Sequence, residues 1–404
     1  MELPPATAMP SQSPGHQIPD ALITDILFRL PLSPCTVRFR CLSKSWCDFL
    51  SNPSFIAKTL SSSASPPNHQ FLFEWIERTE NRSVRFHSWH PSDTPERIQL
   101  PFDPAKPRRP DVRFAGCCNG LLCLIQWDGK QDDPIVWNPA TSETKIVPPS
   151  PFERRSDCSS GATGFGFDPE SSDYKIVRPL YIESCCFRSL YFLEIYSLRN
   201  DTWTKLDDFP SLSSGNIPQC RMGKLYWWRL SGERTLVFDS FDVGSREAFG
   251  KVEVPCPNSE KEYSTPACLL NEESMVAVFP DYNGYEDSDE DDDEFEGRRE
   301  RRSSSWEIWV MLEYWVPESW TKLYVVTSPA SMTIEYCAGI SRNLRFFFAA
   351  FASDLMNEKR YYDGDYSLVT FELETGKFSK VAGIQGTRFE VVTNYVPSQV
   401  SLHN

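Results

Sequence analysis

Histidine is scarce in this sequence, with five copies in 404 residues, so a zinc site of mixed Cys/His ligands has little to draw on. The one close pair, His87 and His90, falls in a strand-like stretch. A spacing of three there puts the two side chains on opposite faces. Thirteen cysteines are present without a single C-x-x-C pair. Their odd number, the length of the chain and the lack of an apolar segment behind a basic start argue against a secreted disulfide scaffold. They are read as reduced thiols acting as small hydrophobes. No apolar run approaches the roughly 18 residues of a membrane span; the stretch from Phe346 to Ala352 is strand-sized. G-x-S-x-G elbows, phosphate-binding loops and H-E-x-x-H helices are all missing, which removes the sequence signatures of the common hydrolases and nucleotidases. Net positive charge is missing too. At −15 the chain is a poor match for nucleic-acid backbone.

Proline is abundant, at 32 residues, and is spread among short apolar runs. That pattern suits many short strands and turns and works against long helices. A length of 404 residues exceeds one ordinary core, unless much of the chain is a repeat or barrel.

The N-terminal part differs. Residues 1–17, rich in Pro and Ser, are expected to be disordered. Asp20 can cap a helix in which Leu22, Ile26 and Leu30 recur at i, i+4 and i+8, with Ile23 and Leu27 as a second row. Ser33–Pro34 is a second helix start. In that helix Val37, Phe39, Cys41 and Leu42 are expected to face inward, Arg38 and Arg40 outward. Ser43 can cap a third helix carrying Trp46, Phe49 and Leu50, ended by Asn52–Pro53. Three short helices over 18–60 are too small to stand alone, and a Ser/Pro linker at 61–69 sets them off from the rest.

From Phe71 onward two pieces recur. The first is a turn followed by a continuous apolar strand, as in Asn119-Gly120 then LLCLI, Gly223-Lys224 then LYWW, and Asn343 then LRFFFAAF. Continuous apolarity indicates burial on both faces. The second is a pair of strands about a polar turn, the second strand carrying a basic residue. Those residues are Arg97, Lys145, Lys205, Lys251, Lys322 and Lys380. Six copies of a four-stranded unit predict a β-propeller of about six blades over 70–397, with the basic residues guarding the outer edge strands; the alternative is a basic binding rim.

Several stretches carry alternatives. Gly164-Phe165-Gly166 runs into Phe167-Asp168-Pro169 and not into a helix, so Asp168 is read as a turn former and not as part of a phosphate cradle. Scattered carboxylates such as Glu194, Asp239 and Glu335 could pair in a glycosidase-like channel, which is the enzymatic alternative. Trp137, Trp203, Trp309 and Trp320 are read as blade core. The acidic stretch at 283–305, with ten acidic and four basic residues between Glu286 and Arg302, will not pack. It is expected to be an insertion between two strands of one blade. Ser288, followed by Asp289, Glu290 and Asp291, is a candidate phosphosite, and the arginines at 298, 299, 301 and 302 a candidate nuclear signal.

The segment IPDALITDILFRLPLSPCTVRFRCLSKSWCDFLSNPSFI resembles an F-box. The matching elements are Ile18–Pro19, then Leu22, Ile26, Leu27, Leu30 and Pro31, then Arg38 to Cys41 and Ser43 to Trp46. The stretch between Pro31 and Arg38 is one residue longer than the usual pattern. The motifs CCNGLLCL, VWNPAT, GFGFDPESSDYKIV, IYSLRNDTW and GKLYWW resemble the kelch-propeller-like F-box-associated domain of plant F-box proteins. This resemblance implies a small all-α F-box joined to an all-β, β-propeller-like domain. It also implies docking on a Skp-type adaptor, and through it a cullin, by Ile18, Pro19, Leu22, Ile26, Leu27, Leu30, Pro31, Arg38, Cys41 and Trp46. The expected role is a non-catalytic substrate-recognition subunit of a ubiquitin ligase, cytoplasmic or nuclear. No cofactor, metal, nucleic acid or membrane is expected. A scaffold that occupies the adaptor without delivering cargo, or a carbohydrate-binding propeller, are the alternatives.

Overall fold

A computed structural model describes residues 38–52, 70–77, 83–89, 94–100, 111–127, 132–152, 158–182, 190–207, 218–221, 223–231, 235–245, 248–254, 267–270, 275–281, 305–341, 344–352, 366–386 and 388–402, with positions 22, 26, 55 and 56 besides. Among the described residues α-helix is confined to the N-terminal part, and one further 3₁₀ turn, Pro317–Ser319, lies in blade 5. Leu22 and Ile26 are helical, Arg38–Cys41 forms a 3₁₀ turn, and Lys44–Leu50 is helix α1. Ser43 caps α1 as expected, its Oγ accepting from the Trp46 amide at 3.2 Å. The remaining helical calls, the 1–17 and 61–69 segments and the insertion up to residue 304 lie outside the described residues.

The rest is strand, arranged in six sheets. Blade 1 holds β1 (Gln70–Glu77), β2 (Ser83–Trp89) and β3 (Glu96–Ile98). Blade 2 holds β4 (Asp111–Cys118), β5 (Leu121–Trp127), β6 (Asp132–Asn138) and β7 (Glu143–Ile146). Blade 3 opens with two short pieces, β8 (Cys158–Ser160) and β9 (Gly164–Asp168), both paired to the long β10 (Asp173–Ile182). It continues with β11 (Leu190–Ser197) and β12 (Thr202–Leu206). Blade 4 comprises β13 (Gln219–Arg221), β14 (Lys224–Ser231), β15 (Thr235–Asp242) and β16 (Ala248–Val254). Blade 5 comprises β17 (Ala267–Leu270), β18 (Met275–Asp281), β19 (Ser305–Met311) and β20 (Trp320–Thr327). Blade 6 comprises β21 (Met332–Ile340), β22 (Arg345–Ala352), β23 (Tyr366–Glu372) and β24 (Lys377–Gly386). The last strand, β25 (Arg388–Tyr395), pairs antiparallel with β1 and completes blade 1 from the inside. The innermost strands β25, β4, β9, β13, β17 and β21 touch in that order and close the ring.

Strand alternation explains the continuous apolar runs. On β5, Leu122 and Leu124 pack toward blade 1, while Leu121, Cys123 and Ile125 pack toward blade 3. On β22, Phe346 and Phe348 face blade 5, while Phe347 and Ala349 face blade 1. Six such cores lie one between each pair of neighbouring blades. A residue on either face of a middle strand is therefore buried, each large one contributing about 1.5–3 kcal/mol. Trp137, Trp203 and Trp320 are buried in these cores and Trp309 packs against one, as blade-core residues should.

The six basic residues each lie on the outermost strand of their blade: Arg97 on β3, Lys145 on β7, Lys205 on β12, Lys251 on β16, Lys322 on β20 and Lys380 on β24. Their recurrence counted the blades. The acidic stretch falls between β18 and β19, two paired strands of blade 5.

Because strands alternate in direction, the turns from first to second and from third to fourth strand all leave from one face of the ring. The other connections leave from the opposite face, and the 282–304 stretch is one of these.

Candidate functional site

Among the described residues, the three carboxylates of the glycosidase-like alternative do not share one blade. Glu194 lies on β11, Asp239 on β15 and Glu335 on β21, in three different blades. Glu194 is fully buried, with Arg178 directly opposite on β10. Arg178 Nε donates to Glu194 Oε2 at 3.1 Å, and Trp203 stacks 4.5 Å from the guanidinium. Asp168 is the turn former expected. Its Oδ1 accepts from the Glu170 amide at 3.0 Å and its Oδ2 accepts from Lys175 Nζ at 2.7 Å. The glycines before it serve packing. A Cβ on Gly166 would stand 2.9 Å from Cys220 Sγ of blade 4. Among the described residues no group of three or more His, Cys, Asp or Glu could hold a metal, and His87 sits on β2 while His90 lies outside them. Cys123 and Cys337 are buried and free; burial pushes the Cys337 thiol up to about 12, which makes it inert.

The helical module is the remaining candidate. Of the expected adaptor-binding residues, Ile18, Pro19, Leu27, Leu30 and Pro31, like the phosphosite Ser288, lie outside the described residues. Leu22 and Ile26, one helical turn apart, are 54% and 49% exposed, a large apolar exposure for so small a unit. Arg38 starts the 3₁₀ turn. Trp46 is half-buried between Phe39 and Phe49, with ring centroids at 6.2 and 6.4 Å, and Phe49 continues to Phe55 at 4.9 Å. Leu50 closes this aromatic row and is buried.

Two expectations fail here. Cys41 and Leu42 were to face inward, yet Cys41 is exposed and Leu42 is 63% exposed. The segment Arg38–Cys41 is a four-residue 3₁₀ turn and not an α-helix, so Cys41, two residues on, is turned away from the Phe39 face, and Leu42 lies beyond the end of the turn. Arg40 was to face solvent, yet it bridges two units. Its Nη2 donates to Ser51 Oγ at 3.1 Å, at the C-terminus of α1, and its Nη1 pairs with Glu143 Oε1 at 3.3 Å, at the start of β7.

Glu143 has a second partner. Its Oε2 accepts from the Leu402 amide at 2.7 Å. The segment that follows β25 crosses blade 2 on the face of the third-to-fourth-strand turns. Asn138, fully buried at the end of β6, donates from Nδ2 to the carbonyls of Ser398 (3.1 Å) and Val400 (2.8 Å). Its Oδ1 accepts from the Ala140 amide at 3.0 Å, which fixes the amide's orientation. Sequence reasoning noticed VWNPAT as a motif but had no means of seeing its distant partner.

A closed ring of six blades, five of them four-stranded and one five-stranded, joined to a helical module defines a β-propeller protein. The sequence pattern of the F-box associated beta propeller domain matches residues 77–402, and the chain belongs to that family. An F-box/kelch-repeat protein of Arabidopsis thaliana is 25% identical over 76% of this chain and 79% of its own length. The F-box protein CPR1 of the same plant is 25% identical over 78% and 74%.

Proposed function

We propose that this protein is the substrate-recognition subunit of an SCF-type cullin–RING ubiquitin ligase. The observation that carries this reading is the exposed apolar pair Leu22 and Ile26, one helical turn apart. The F-box names of its relatives support it. The helical module docks on a Skp-type adaptor, and the propeller captures the protein to be modified. The receptor performs no chemistry. It holds cargo lysines near the ubiquitin carrier, and proximity of that kind is worth up to about 7–11 kcal/mol for well-placed reactants. On this reading the protein works in the cytoplasm or the nucleus. The capture surface is the ring face away from Arg40 and Glu143, because that ion pair ties the module to blade 2 on the other.

The test is binding to a purified Skp-type adaptor. Replacing Leu22 and Ile26 together by Ala removes about 1.5–3 kcal/mol for each side chain that the adaptor covers, with no loss of melting temperature, since both are exposed. Unchanged adaptor affinity sinks the assignment. A cullin in immunoprecipitates, together with ubiquitin transfer, separates a working receptor from a chain that only occupies the adaptor.

A further inference from the structure

We propose that residues 396–402 form a strap that makes the orientation of the helical module conditional on closure of the ring, with Glu143 as the coupling residue. This deepens the receptor reading and its functional consequence rests on it. The geometry is independent of it.

The strap begins where the ring closes. β25 supplies the innermost strand of blade 1, and the chain leaves it directly into Val396–Gln399, all buried. Asn138 then clamps the carbonyls of Ser398 and Val400, while Val400 and Leu402 pack on the core between blades 2 and 3. This run delivers the Leu402 amide to Glu143 Oε2. The other oxygen of the same carboxylate takes Arg40, whose guanidinium is held from behind by Ser51. One carboxylate thus joins three parts of the chain: blade 2, the strap and the module. An amide donor on Oε2 fixes the plane of the carboxylate, so that Oε1 is presented to Arg40 in one geometry. Arg is suited to this bridge because its planar fork binds two acceptors at once. A chain in which β25 has not paired with β1 does not place Leu402, and Glu143 is then a free side chain able to swing.

In a receptor, this coupling means that only a closed, cargo-competent propeller presents its F-box at a fixed angle. The experiment uses the full chain, with spin labels on noncanonical residues at the exposed positions 44 and 380, and reads the distance distribution between module and propeller by pulsed EPR. The wild type should give one narrow distance. Glu143→Ala and Leu402→Pro, the latter removing the amide donor together with the Leu402 side chain, should both lose that narrow peak while adaptor affinity stays unchanged. Should Leu402→Pro lower the melting temperature of the propeller, deletion of residues 402–404 takes its place. A narrow peak retained in Glu143→Ala overturns the proposal. Broadening in Glu143→Ala but in neither strap variant overturns the coupling to closure. Failure of the wild type to bind an adaptor would sink the receptor reading and leave the distance readout intact.

Discussion

Lys175 Nζ lies 2.7 Å from Asp168 Oδ2 and 2.9 Å from the carbonyl oxygen of Val243, so one buried ammonium joins the inner strands of blade 3 to the last turn of blade 4. Similar polar ties join blades 2, 3 and 4. Lys145 donates to the Leu198 carbonyl at 3.2 Å, Trp203 Nε1 to Pro148 at 2.8 Å and Trp227 Nε1 to Ala162 at 2.9 Å. Each carries a side chain of one blade to the backbone of its neighbour. The apolar cores hold blades together without fixing how far one slides on the next. A directional hydrogen bond to a backbone carbonyl does fix it.

The Asp168 tie has a pH signature. Burial works to raise the carboxyl, but the hydrogen bonds from Lys175 and Ser171 outweigh it and hold it down at about 2. The unfolded chain titrates near 3.9. A depressed folded value means that the stabilisation is complete above about pH 4 and is lost as pH falls toward 2, where the folded carboxyl also protonates. The contribution at neutral pH is about 2 kcal/mol. Asp168→Asn should therefore be less stable than the wild type at pH 7 by at least about that amount, with Lys175 left uncompensated. The gap should narrow between pH 4 and 2. Urea unfolding at a series of pH values measures it, and a gap independent of pH would contradict the assignment.

Arg178 and Glu194 form a second buried pair, inside blade 3. Removing one partner leaves a charge with nothing to balance it, at about 3–5 kcal/mol. Replacing both by apolar residues of similar volume avoids that penalty. Glu194→Gln should thus lower the melting temperature strongly, whereas Arg178→Met with Glu194→Leu should recover most of the loss. A double-mutant cycle in denaturant reads the coupling.

Much of this architecture was legible, and the reason is periodicity. Lys145, Lys205 and Lys322 mark outer strands because an outer edge recurs once per blade. Leu121 to Ile125 read as buried on both faces because alternation sends successive residues to different neighbours. What escaped the sequence depends on single contacts between distant residues. Arg40 and Glu143 are 103 positions apart, and Asn138 is 260 from Ser398, with no local pattern to announce either. The division of the inner strand of blade 3 into β8 and β9, and the 3₁₀ turn that exposes Cys41 and Leu42, were likewise hidden. Both arise from tertiary packing overriding a short local signal.

Lys322 offers a test of edge protection. It sits on the outer strand β20 ahead of Leu323, Tyr324 and Val325, all exposed, and its ammonium contacts Glu307 Oε1 at 2.5 Å. An apolar edge invites pairing with another molecule, and an inserted charge opposes it. Lys322→Val should lower the melting temperature, because it leaves the buried Glu307 carboxylate without its cation, and below that temperature it should produce concentration-dependent self-association, followed by light scattering. A monomeric variant at every concentration would assign Lys322 to the Glu307 pair alone.

Gly120 ends the turn between β4 and β5 at φ +77°, a conformation in which any Cβ is strained by roughly 1 kcal/mol. Its surroundings add to that. A Cβ there would stand 2.7 Å from Ser398 Cβ and closer still to the Val396 carbonyl oxygen, both in the buried strap. Neither neighbour is a flexible side-chain end, so the strap itself has to move. Gly376, at φ +64° in the turn between β23 and β24, is the natural control, because its nearest neighbour is the Tyr324 hydroxyl at 3.7 Å. Gly376→Ala should cost only the backbone strain. Gly120→Ala should cost more and should raise amide exchange at Leu402, whose N–H depends on the strap reaching Glu143. Hydrogen exchange by mass spectrometry separates the two variants, and equal protection of residues 396–402 in both would show that the strap tolerates displacement at Gly120.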